Sequence, residues 1–341
     1  MLVGMYYNNH DVRVEEMAVP AILPGEILVK VIASGICGSD VMEWYRVKKA
    51  PIVLGHEISG EIVETGQGVT KFSVGDRVFV SHHVPCNTCK FCLEGNHTAC
   101  DLLRSTNFDP GGFAQYLRVP AVNVDRGVFI VPDEMSHDEG AFIEPLACVL
   151  RSQMIAKNSP GHSVLVLGSG ISGLLHVALA KALGAGRIIA TDINETRLEA
   201  AAKFGADVII NAADNVPERL KEENEGRGAD LVIISTGAYS AFEQALGCLE
   251  RGATLMVFAP ADPGVTLPVP VNEFWKNAIT LRHSYGAGPE DIETAIKLLQ
   301  FKRVDIAEMI TDILPLKDIQ EGFRLVAEAD HSIKVIIHPN E

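Results

Sequence analysis

Positive charge is scarce in this chain. Its 341 residues include 29 Lys and Arg against 44 Asp and Glu, which gives a formal net charge of −15 at pH 7. A surface of that sign repels phosphate groups, so the composition disfavours binding to nucleic acid or to an anionic membrane. We therefore expect a small molecule, and neither nucleic acid nor membrane, as its partner.

The amino-terminal residues lack the basic segment and apolar run of an export signal. The seven cysteines are an odd number, which in a chain without an export signal indicates thiols and metal sites rather than a disulfide framework. We expect a cytoplasmic protein. Low-complexity linkers and internal repeats are also absent, so the two domains that this length suggests are joined by continuous elements.

A glycine-rich turn between two apolar runs is the most informative stretch. Val164 to Leu167 has the unbroken apolar character of a parallel strand buried on both faces. Glycines follow in G-x-G-x-x-G spacing, an apolar helix pattern begins there, and a second strand ends at Asp192. This order of elements predicts a dinucleotide site, with the pyrophosphate at the helix N-terminus. The residues expected at the nucleotide are Gly168, Gly170, Ile171, Ser172, Gly173 and Asp192.

The acid that ends the second strand indicates which nucleotide binds. Asp192 can accept hydrogen bonds from both ribose hydroxyls of NAD and would repel the additional phosphate of NADP. Alternating strands and helices continue to about residue 284 and predict an α/β fold with a six-stranded, doubly wound parallel sheet. Thr236 ends one of these strands, at the edge where the nicotinamide ribose is expected.

The first 150 residues have a different composition. Short β-rich segments separated by Gly and Pro, at 26–33, 57–65, 77–80, 114–119 and 128–131, predict a small, mostly β domain with long loops. Within it, four cysteines stand in C-x2-C-x2-C-x7-C spacing, which suits a closed tetrahedral zinc site of structural type. An iron–sulfur cluster is the chemical alternative, and the acidic charge argues against a nucleic-acid zinc ribbon. The four predicted ligands are Cys86, Cys89, Cys92 and Cys100.

A second set of metal-binding residue types is spread along the chain. Cys37 follows the turn Gly35-Ile36, His56 and Glu57 follow Gly55, and Glu144 opens a Glu-Pro-Leu-Ala run. A thiolate, an imidazole and a carboxylate can hold zinc and leave one position for a substrate. Spacing alone does not establish that these residues meet.

The motif around His56 provides a resemblance. Gly55-His56-Glu57-Ile58-Ser59-Gly60, followed by Gly66 and Val69, is similar to the signature of zinc-containing alcohol dehydrogenases. With the four-cysteine loop and the nucleotide fold, the whole chain resembles the zinc-dependent medium-chain dehydrogenases. The Glu-Pro-Leu-Ala run at 144 is most similar to the polyol (sorbitol-type) and threonine dehydrogenase branch. The resemblance implies a GroES-like catalytic zinc domain, residues 1–151 and 287–341, and an NAD-binding Rossmann domain, residues 152–286.

The resemblance also implies two zinc ions per chain, one catalytic and one structural. Cys37, His56, and Glu57 or Glu144 would hold the catalytic ion, because Glu144 falls where alcohol dehydrogenases have a second cysteine ligand. An oxygen ligand makes the site harder and more tolerant of cobalt or manganese. Ser39 would hydrogen-bond the reacting oxygen. Arg197 would lie against the adenosine, with a solvated helix face as its alternative role.

The implied activity is that of an NAD-dependent secondary-alcohol or polyol dehydrogenase. Zinc would act as a Lewis acid on the substrate oxygen, and the enzyme would be a homo-oligomer, a tetramer or a dimer. Threonine 3-dehydrogenase is an alternative of the same class, since Glu43 can pair with a substrate ammonium. A zinc- and nucleotide-binding protein without turnover is the alternative from another class.

Several residues depart from the family pattern or match no role in it. Met42 stands where the family often has a proton-relay histidine. Arg282 and His283 face either the cleft or a subunit contact. We expect Cys148 and Cys248 to be buried core thiols. We expect polar surface positions for three further histidines, His82, His83 and His97.

Overall fold

The computed structural model describes all residues from Met1 to Glu341, and the chain divides into two compact units. The first unit comprises Met1–Ala147 and Ala287–Glu341, and the second comprises Cys148–Gly286. The sequence-based boundaries were 151/152 and 286/287. The first structural boundary falls inside a helix, Ile143–Ile155.

The chain forms sixteen strands and thirteen α-helices. The strands are β1 (Leu2–Asn8), β2 (Asp11–Glu16), β3 (Ile27–Gly35), β4 (Ile52–Val53), β5 (Glu57–Thr65), β6 (Arg77–Val80), β7 (Tyr116–Val119), β8 (Val128–Ile130), β9 (Ser163–Leu167), β10 (Arg187–Asp192), β11 (Val208–Asn211), β12 (Ala229–Ile234), β13 (Leu249–Val257), β14 (Thr280–His283), β15 (Ile310–Pro315) and β16 (Lys334–His338). The helices are α1 (Glu43–Arg46), α2 (Lys90–Leu93), α3 (Asp101–Ser105), α4 (Ala121–Arg126), α5 (His137–Gly140), α6 (Ile143–Ile155), α7 (Ile171–Ala182), α8 (Glu195–Phe204), α9 (Val216–Glu223), α10 (Tyr239–Gly247), α11 (Val271–Asn277), α12 (Pro289–Gln300) and α13 (Ile319–Glu328).

A mostly antiparallel sheet organises the first unit. Its strand order is β15-β16-β3-β5-β6-β8, and β7 pairs with β3. Apolar residues of β3, β5 and β6 fill the core beside it, with Val29, Ile58 and Val78 fully buried. A second sheet, β2-β1-β4, packs through a separate apolar cluster that includes Tyr6, Phe113 and Phe323. The prediction of a β-rich first region is confirmed, although the strands β1, β2 and β4 were not predicted.

The carboxyl-terminal segment belongs to this first sheet. Strand β16 pairs antiparallel with β3 and parallel with β15, and its first four residues are buried. Their apolar side chains, Val335, Ile336 and Ile337, are fully buried. The tail therefore places Lys334 inside the unit, next to the ends of β3 and β5.

The second unit contains a six-stranded parallel sheet in the order β11-β10-β9-β12-β13-β14. All five strand pairs are parallel, and all five residues of β9 are buried, as the unbroken apolar run predicted. The predicted doubly wound α/β fold is confirmed. None of the helices combines the length and the hydrophobicity that crossing a membrane requires.

Candidate active site and metal centres

Strand pairing brings three of the predicted catalytic-metal ligands together. Cys37 lies just after β3 and caps a short 3-10 helix, Gly38–Asp40, while His56 and Glu57 stand at the start of β5. Because β3 and β5 pair antiparallel with Gly35 opposite Glu57, these segments meet at one end of the sheet. The ligand atoms of Cys37, His56 and Glu57 all lie within 4.8 Å of one another. Three donors of these types fit zinc with a position left open.

Glu144, the fourth candidate ligand, is not a member of this close group. It stands half-buried in the first turn of α6 and outside the group formed by the other three residues. Of the two carboxylates that the sequence left open, the geometry favours Glu57 as the ligand.

A buried carboxylate orients His56. Asp40 is fully buried, and its Oδ1 lies 3.5 Å from His56 Nδ1 while its Oδ2 accepts the Cys37 N–H at 3.1 Å. Nε2 of His56 is therefore the nitrogen left for a metal, the arrangement in which a carboxylate fixes a metal-binding imidazole. Burial opposes a charge on His56, but the Asp40 carboxylate and the hydrogen bonds of Asp40 and Cys37 raise the pKa of His56 well above its ordinary value. The site thus favours a positive charge. Asp40 was not predicted as a site residue.

Arg46 holds Ser39 in place. Its Nε donates to the Ser39 carbonyl at 2.8 Å, and its Nη2 donates to Ser39 Oγ at 3.0 Å and lies 3.2 Å from Asp40 Oδ1. Since Ser39 Oγ already accepts a hydrogen bond, its own O–H is free to donate to a reacting oxygen. Arg46 was not predicted as a site residue, and its position depends on α1 folding back over the turn.

Glu57 also has a partner that the sequence did not reveal. Lys334, the first residue of β16, donates a hydrogen bond to Glu57 Oε2, and both side chains are 1% exposed. Lys334 Nζ also donates to the Ile36 carbonyl at 3.2 Å. A side chain at Gly35 would collide with both Glu57 and Lys334, so the glycine provides the room for this pair. The only feature of the sequence that could have indicated this pair is the position of Lys334, directly before the apolar residues of β16.

The four cysteines of the predicted structural site converge. Cys86 Sγ lies 3.9 Å and Cys89 Sγ lies 3.5 Å from Cys92 Sγ, and the group includes Cys100. Zinc–sulfur bonds of about 2.3 Å in a tetrahedron place neighbouring sulfurs about 3.8 Å apart, so these separations fit a zinc site with four cysteine ligands. Backbone and hydroxyl hydrogen bonds from Thr88, then the Cys89 N–H, lower the pKa of Cys86 to about 5. A thiolate is the form that binds metal.

Other cysteines and histidines differ in part from expectation. Cys248 is buried, as predicted, and burial raises its pKa to about 12, but Cys148 is only half-buried. The surface position predicted for His82, His83 and His97 holds only in part. The rings of His82 and His83 are half-buried, and burial, followed by nearby positive charges, lowers the pKa of His82 well below its ordinary value and that of His83 to about 4. His97 is half-buried as well.

In the second unit, the glycine-rich turn has the geometry of a phosphate loop. Gly168 has φ +93°, a left-handed conformation that suits glycine, and a side chain at Gly173 would collide with the Gly168 carbonyl. Gly170 caps α7 without a side-chain hydrogen bond, so the first N–H groups of this helix are available to an anion. Ile171 and Ser172, its first two residues, are partly exposed.

The acid that ends β10 is held rigidly. Asp192 is 8% exposed, and its two oxygens accept the Ser169 N–H at 2.8 Å and the Asn194 N–H at 3.0 Å. Each oxygen retains capacity for one more donor, as two ribose hydroxyls would require. Arg197 lies in the first turn of α8. Its Nη1 is 3.9 Å from the point that a Cβ atom would occupy if Gly170 had a side chain, so this cation lies near the phosphate loop.

The remaining candidates lie at strand ends in the same unit. Thr236 follows β12 half-buried, and its Oγ1 accepts the Ala238 N–H at 3.3 Å. Arg282 and His283 lie on β14, the edge strand, and both are exposed. The two roles considered for Arg282 and His283 remain predictions.

Comparison with known proteins agrees with this architecture. Residues 23–132 match the alcohol dehydrogenase GroES-like domain, and residues 172–300 match the zinc-binding dehydrogenase family. Sorbitol dehydrogenase of Bacillus subtilis (strain 168) is 35% identical over 100% of this chain and 98% of its own length. D-xylulose reductase A of Aspergillus oryzae is 32% identical over 96% of this chain and 94% of its own length.

A solved structure gives the same result. Galactitol-1-phosphate dehydrogenase from Escherichia coli superposes with a TM-score of 0.88 at 29% identity, covering 99% of this chain and 100% of that one. The chain, an oxidoreductase, therefore belongs to the zinc-dependent medium-chain dehydrogenases, in the branch of its sorbitol dehydrogenase and D-xylulose reductase relatives.

Proposed function

We propose that the protein oxidises a secondary alcohol group of a polyol with NAD, using zinc at Cys37, His56 and Glu57. The observation that carries the proposal is the three-donor group at the end of β3 and β5, whose ligand atoms lie within 4.8 Å of one another. The names of the relatives, a sorbitol dehydrogenase, a D-xylulose reductase and a galactitol-1-phosphate dehydrogenase, support a polyol as the substrate.

The residues of the site have separate tasks. Bound zinc would supply a Lewis acid that lowers the pKa of the substrate hydroxyl. Asp40 faces Nδ1 of His56, so Nε2 of the same ring is directed away from Asp40. Ser39, whose Oγ accepts from Arg46, uses its O–H to hold the reacting oxygen and to pass on its proton. Hydride transfer is then the chemistry of the nicotinamide cofactor.

The nucleotide-binding half of the proposal depends on the second unit. The free N–H groups at the start of α7, with Arg197 nearby, suit the pyrophosphate. Asp192 suits the two hydroxyls of the adenosine ribose, and we therefore propose NAD rather than NADP as the cofactor. Thr236 is proposed to lie beside the nicotinamide ribose. Accordingly, residues 152–286 are assigned to NAD binding, and residues 1–151 with 287–341 to catalysis.

We propose a second, structural zinc at the four cysteines, giving two ions per chain. Sulfur separations of 3.5 Å and 3.9 Å suit a closed site with no position for substrate. This ion would stabilise the loop between β6 and β7 and take no part in the chemistry.

We also propose that the protein is cytoplasmic and forms a homo-oligomer, either a tetramer or a dimer. All four residues of the edge strand β14 are exposed, and its outer backbone groups have no neighbouring strand. Large apolar side chains lie exposed nearby in the sequence, including Val271 at 71%, Trp275 at 83% and Tyr285 at 52%. An edge strand with exposed apolar residues is a typical subunit contact.

The test is a panel of substrates with the zinc-loaded enzyme. NADH formation is measured with polyols, diols, simple secondary alcohols and threonine at alkaline pH, and Cys37→Ser serves as the inactive control. We expect the polyols to give the highest kcat/KM and a chelator to abolish the activity. Activity with threonine alone, or turnover that Cys37→Ser retains, would contradict the proposal.

A further inference from the structure

The turn between β1 and β2 is hydrogen-bonded to the segment that carries Ser39. Asn9, one of the two residues between these strands, donates from Nδ2 to the Val41 carbonyl at 2.8 Å, although 32 residues separate them in the sequence. Val41 ends the 3-10 helix Gly38–Asp40, and the chain continues directly into Met42, the N-cap of α1. The Asn9 amide therefore fixes the backbone two residues after Ser39.

Three further hydrogen bonds hold Asn9 in place. Tyr6, which is fully buried, donates from its hydroxyl to Asn9 Oδ1 at 2.9 Å. Gln320, on α13, donates from Nε2 to the Asn9 carbonyl at 3.0 Å, and its Oε1 accepts the Val12 N–H at 2.7 Å. A backbone carbonyl only accepts and a backbone N–H only donates, so these partners determine which way both side-chain amides face. Asn9 is thus connected to β1, β2 and α13.

Hydrogen bonds within the Ser39 segment have a different effect. The Cys37 N–H donates to Asp40 Oδ2 at 3.1 Å, and Arg46 Nε donates to the Ser39 carbonyl at 2.8 Å. Both bonds join residues of the same short segment, so they determine its shape. The Asn9 bond joins this segment to a distant part of the unit, so it determines where the segment lies.

We propose that Asn9 is a positioning residue, which holds the Val41 carbonyl and thereby keeps the Ser39 hydroxyl where it can bond the reacting oxygen. This inference rests on the proposed function, which gives that task to Ser39. A reacting group that is displaced by about 1 Å can lose roughly a hundredfold in rate, even when the substitution lies away from the chemistry. Asn9 would therefore affect the rate through Ser39.

The first experiment is a double-mutant cycle with Ser39. Asn9→Asp keeps the size of the side chain and the acceptor for Tyr6, but it replaces the amide donor with a carboxylate oxygen, which repels the Val41 carbonyl. We expect kcat for sorbitol oxidation to fall about tenfold, with KM for NAD unchanged. In a Ser39→Ala background, Asn9→Asp should have no further effect on kcat, because the group that Asn9 positions is gone.

Two other variants separate the lost hydrogen bond from the added charge. Asn8→Asp adds the same charge one residue away and should leave kcat unchanged, since Asn8 Oδ1 accepts the His10 N–H at 2.9 Å and a carboxylate keeps that bond. Asn9→Leu removes the donor without adding a charge and should reproduce the fall in kcat. An equal fractional loss with and without Ser39, an equal loss in Asn8→Asp, or no loss in either Asn9 variant would overturn the inference and leave the proposed function standing.

A second measurement needs neither substrate nor turnover. Amide hydrogen exchange reports on the peptide covering residues 37–46, in which the Asp40 and Arg46 N–H groups are bonded to carbonyls of the same segment. This peptide should exchange about tenfold faster in Asn9→Asp and at the wild-type rate in Asn8→Asp. Unchanged exchange in Asn9→Asp would overturn the inference. A wild type that oxidises no polyol would instead overturn the proposed function, and the exchange rates would still decide whether Asn9 holds this segment.

Discussion

Lys334 donates a hydrogen bond to the Glu57 carboxylate, and the two side chains, 277 residues apart in the sequence, are each 1% exposed. A lysine and a carboxylate buried together stabilise the fold only as a pair, because each charge alone would lose its hydration without compensation. Glu57 therefore has a cation on one side, Lys334, and the proposed metal position on the other. The pair connects the last strand of the chain to the candidate active site.

Removing Lys334 tests whether the buried Glu57 carboxylate depends on this lysine for its stability. In protein freed of the catalytic zinc, Lys334→Met leaves Glu57 buried without a partner, and we expect a loss of about 3–5 kcal/mol in the free energy of unfolding. Adding Glu57→Gln to this variant removes the uncompensated charge and should recover part of the loss. Urea unfolding of the wild type, both single variants and the double variant measures the coupling. If the loss in the double variant equals the sum of the losses in the two single variants, the argument is contradicted.

The two metal centres should respond differently to loss of one thiol. Cys89→Ser removes a ligand of the proposed structural zinc and should destabilise the protein by several kcal/mol, because binding of a structural zinc contributes directly to folding. Cys37→Ser should abolish turnover and leave the unfolding transition nearly unchanged. Metal analysis of the carefully prepared wild type should give two zinc ions per chain. One ion or none would refute the two-site assignment.

Local sequence patterns were enough to predict the parts of the fold that short segments determine. The bounds of β5 and β6 match the predicted 57–65 and 77–80, and the parallel sheet follows from its apolar strands and the glycine-rich turn. Residues whose role depends on distant segments were missed. Lys334 meets Glu57 because β16 pairs with β3, and His82 is half-buried where the rings of Phe108 and His56, both distant in the sequence, lie beside it.

The Asp192 carboxylate should determine the cofactor preference. We expect the wild type to favour NAD over NADP by roughly 2–4 kcal/mol in kcat/KM, from like-charge repulsion and lost hydroxyl hydrogen bonds. Asp192→Asn removes the charge while keeping an oxygen that can accept from Ser169, and it should raise kcat/KM for NADP about tenfold or more. Asp207→Asn is the matched control, since Asp207 also accepts a strand N–H, from Ile188 at 2.8 Å. Comparable kcat/KM values for NAD and NADP in the wild type would contradict this prediction.

A histidine outside the site should give the first unit a pH-dependent stability. His338 Nε2 lies 2.7 Å from Asp138 Oδ1, and this hydrogen bond, although opposed by burial, raises the pKa of His338 above its ordinary value. A raised folded-state pKa gives stabilisation that is complete below the unfolded pKa of about 6.5 and disappears as pH rises through the folded pKa. His338→Gln should therefore cost about 1–2 kcal/mol near pH 6 and little near pH 9. Urea unfolding of both proteins across this range is the measurement, and a pH-independent difference would contradict it.

Met42 raises the question of where the alcohol proton goes. Its carbonyl accepts the N–H groups of Tyr45 and Arg46 at 2.9 Å and 3.1 Å, so the residue caps α1, and its thioether cannot carry a proton. Ser39 can accept the substrate proton only if another group then takes its own. The candidates are the cofactor ribose and water beside Glu57 or Glu144. We favour the water route, and we then expect loss of Glu144 to impair proton release.

Restoring a relay histidine tests this route. Met42→His should raise kcat most below about pH 8, where a base with a pKa near 6.5 is still able to accept the proton. The measurement is kcat against pH for both proteins, together with the solvent deuterium isotope effect, which should be larger in the wild type than in the variant. If the two profiles coincide and neither protein has an isotope effect, hydride transfer or NADH release limits the rate. Met42 would then only shape the pocket, and the proton-transfer argument would be wrong.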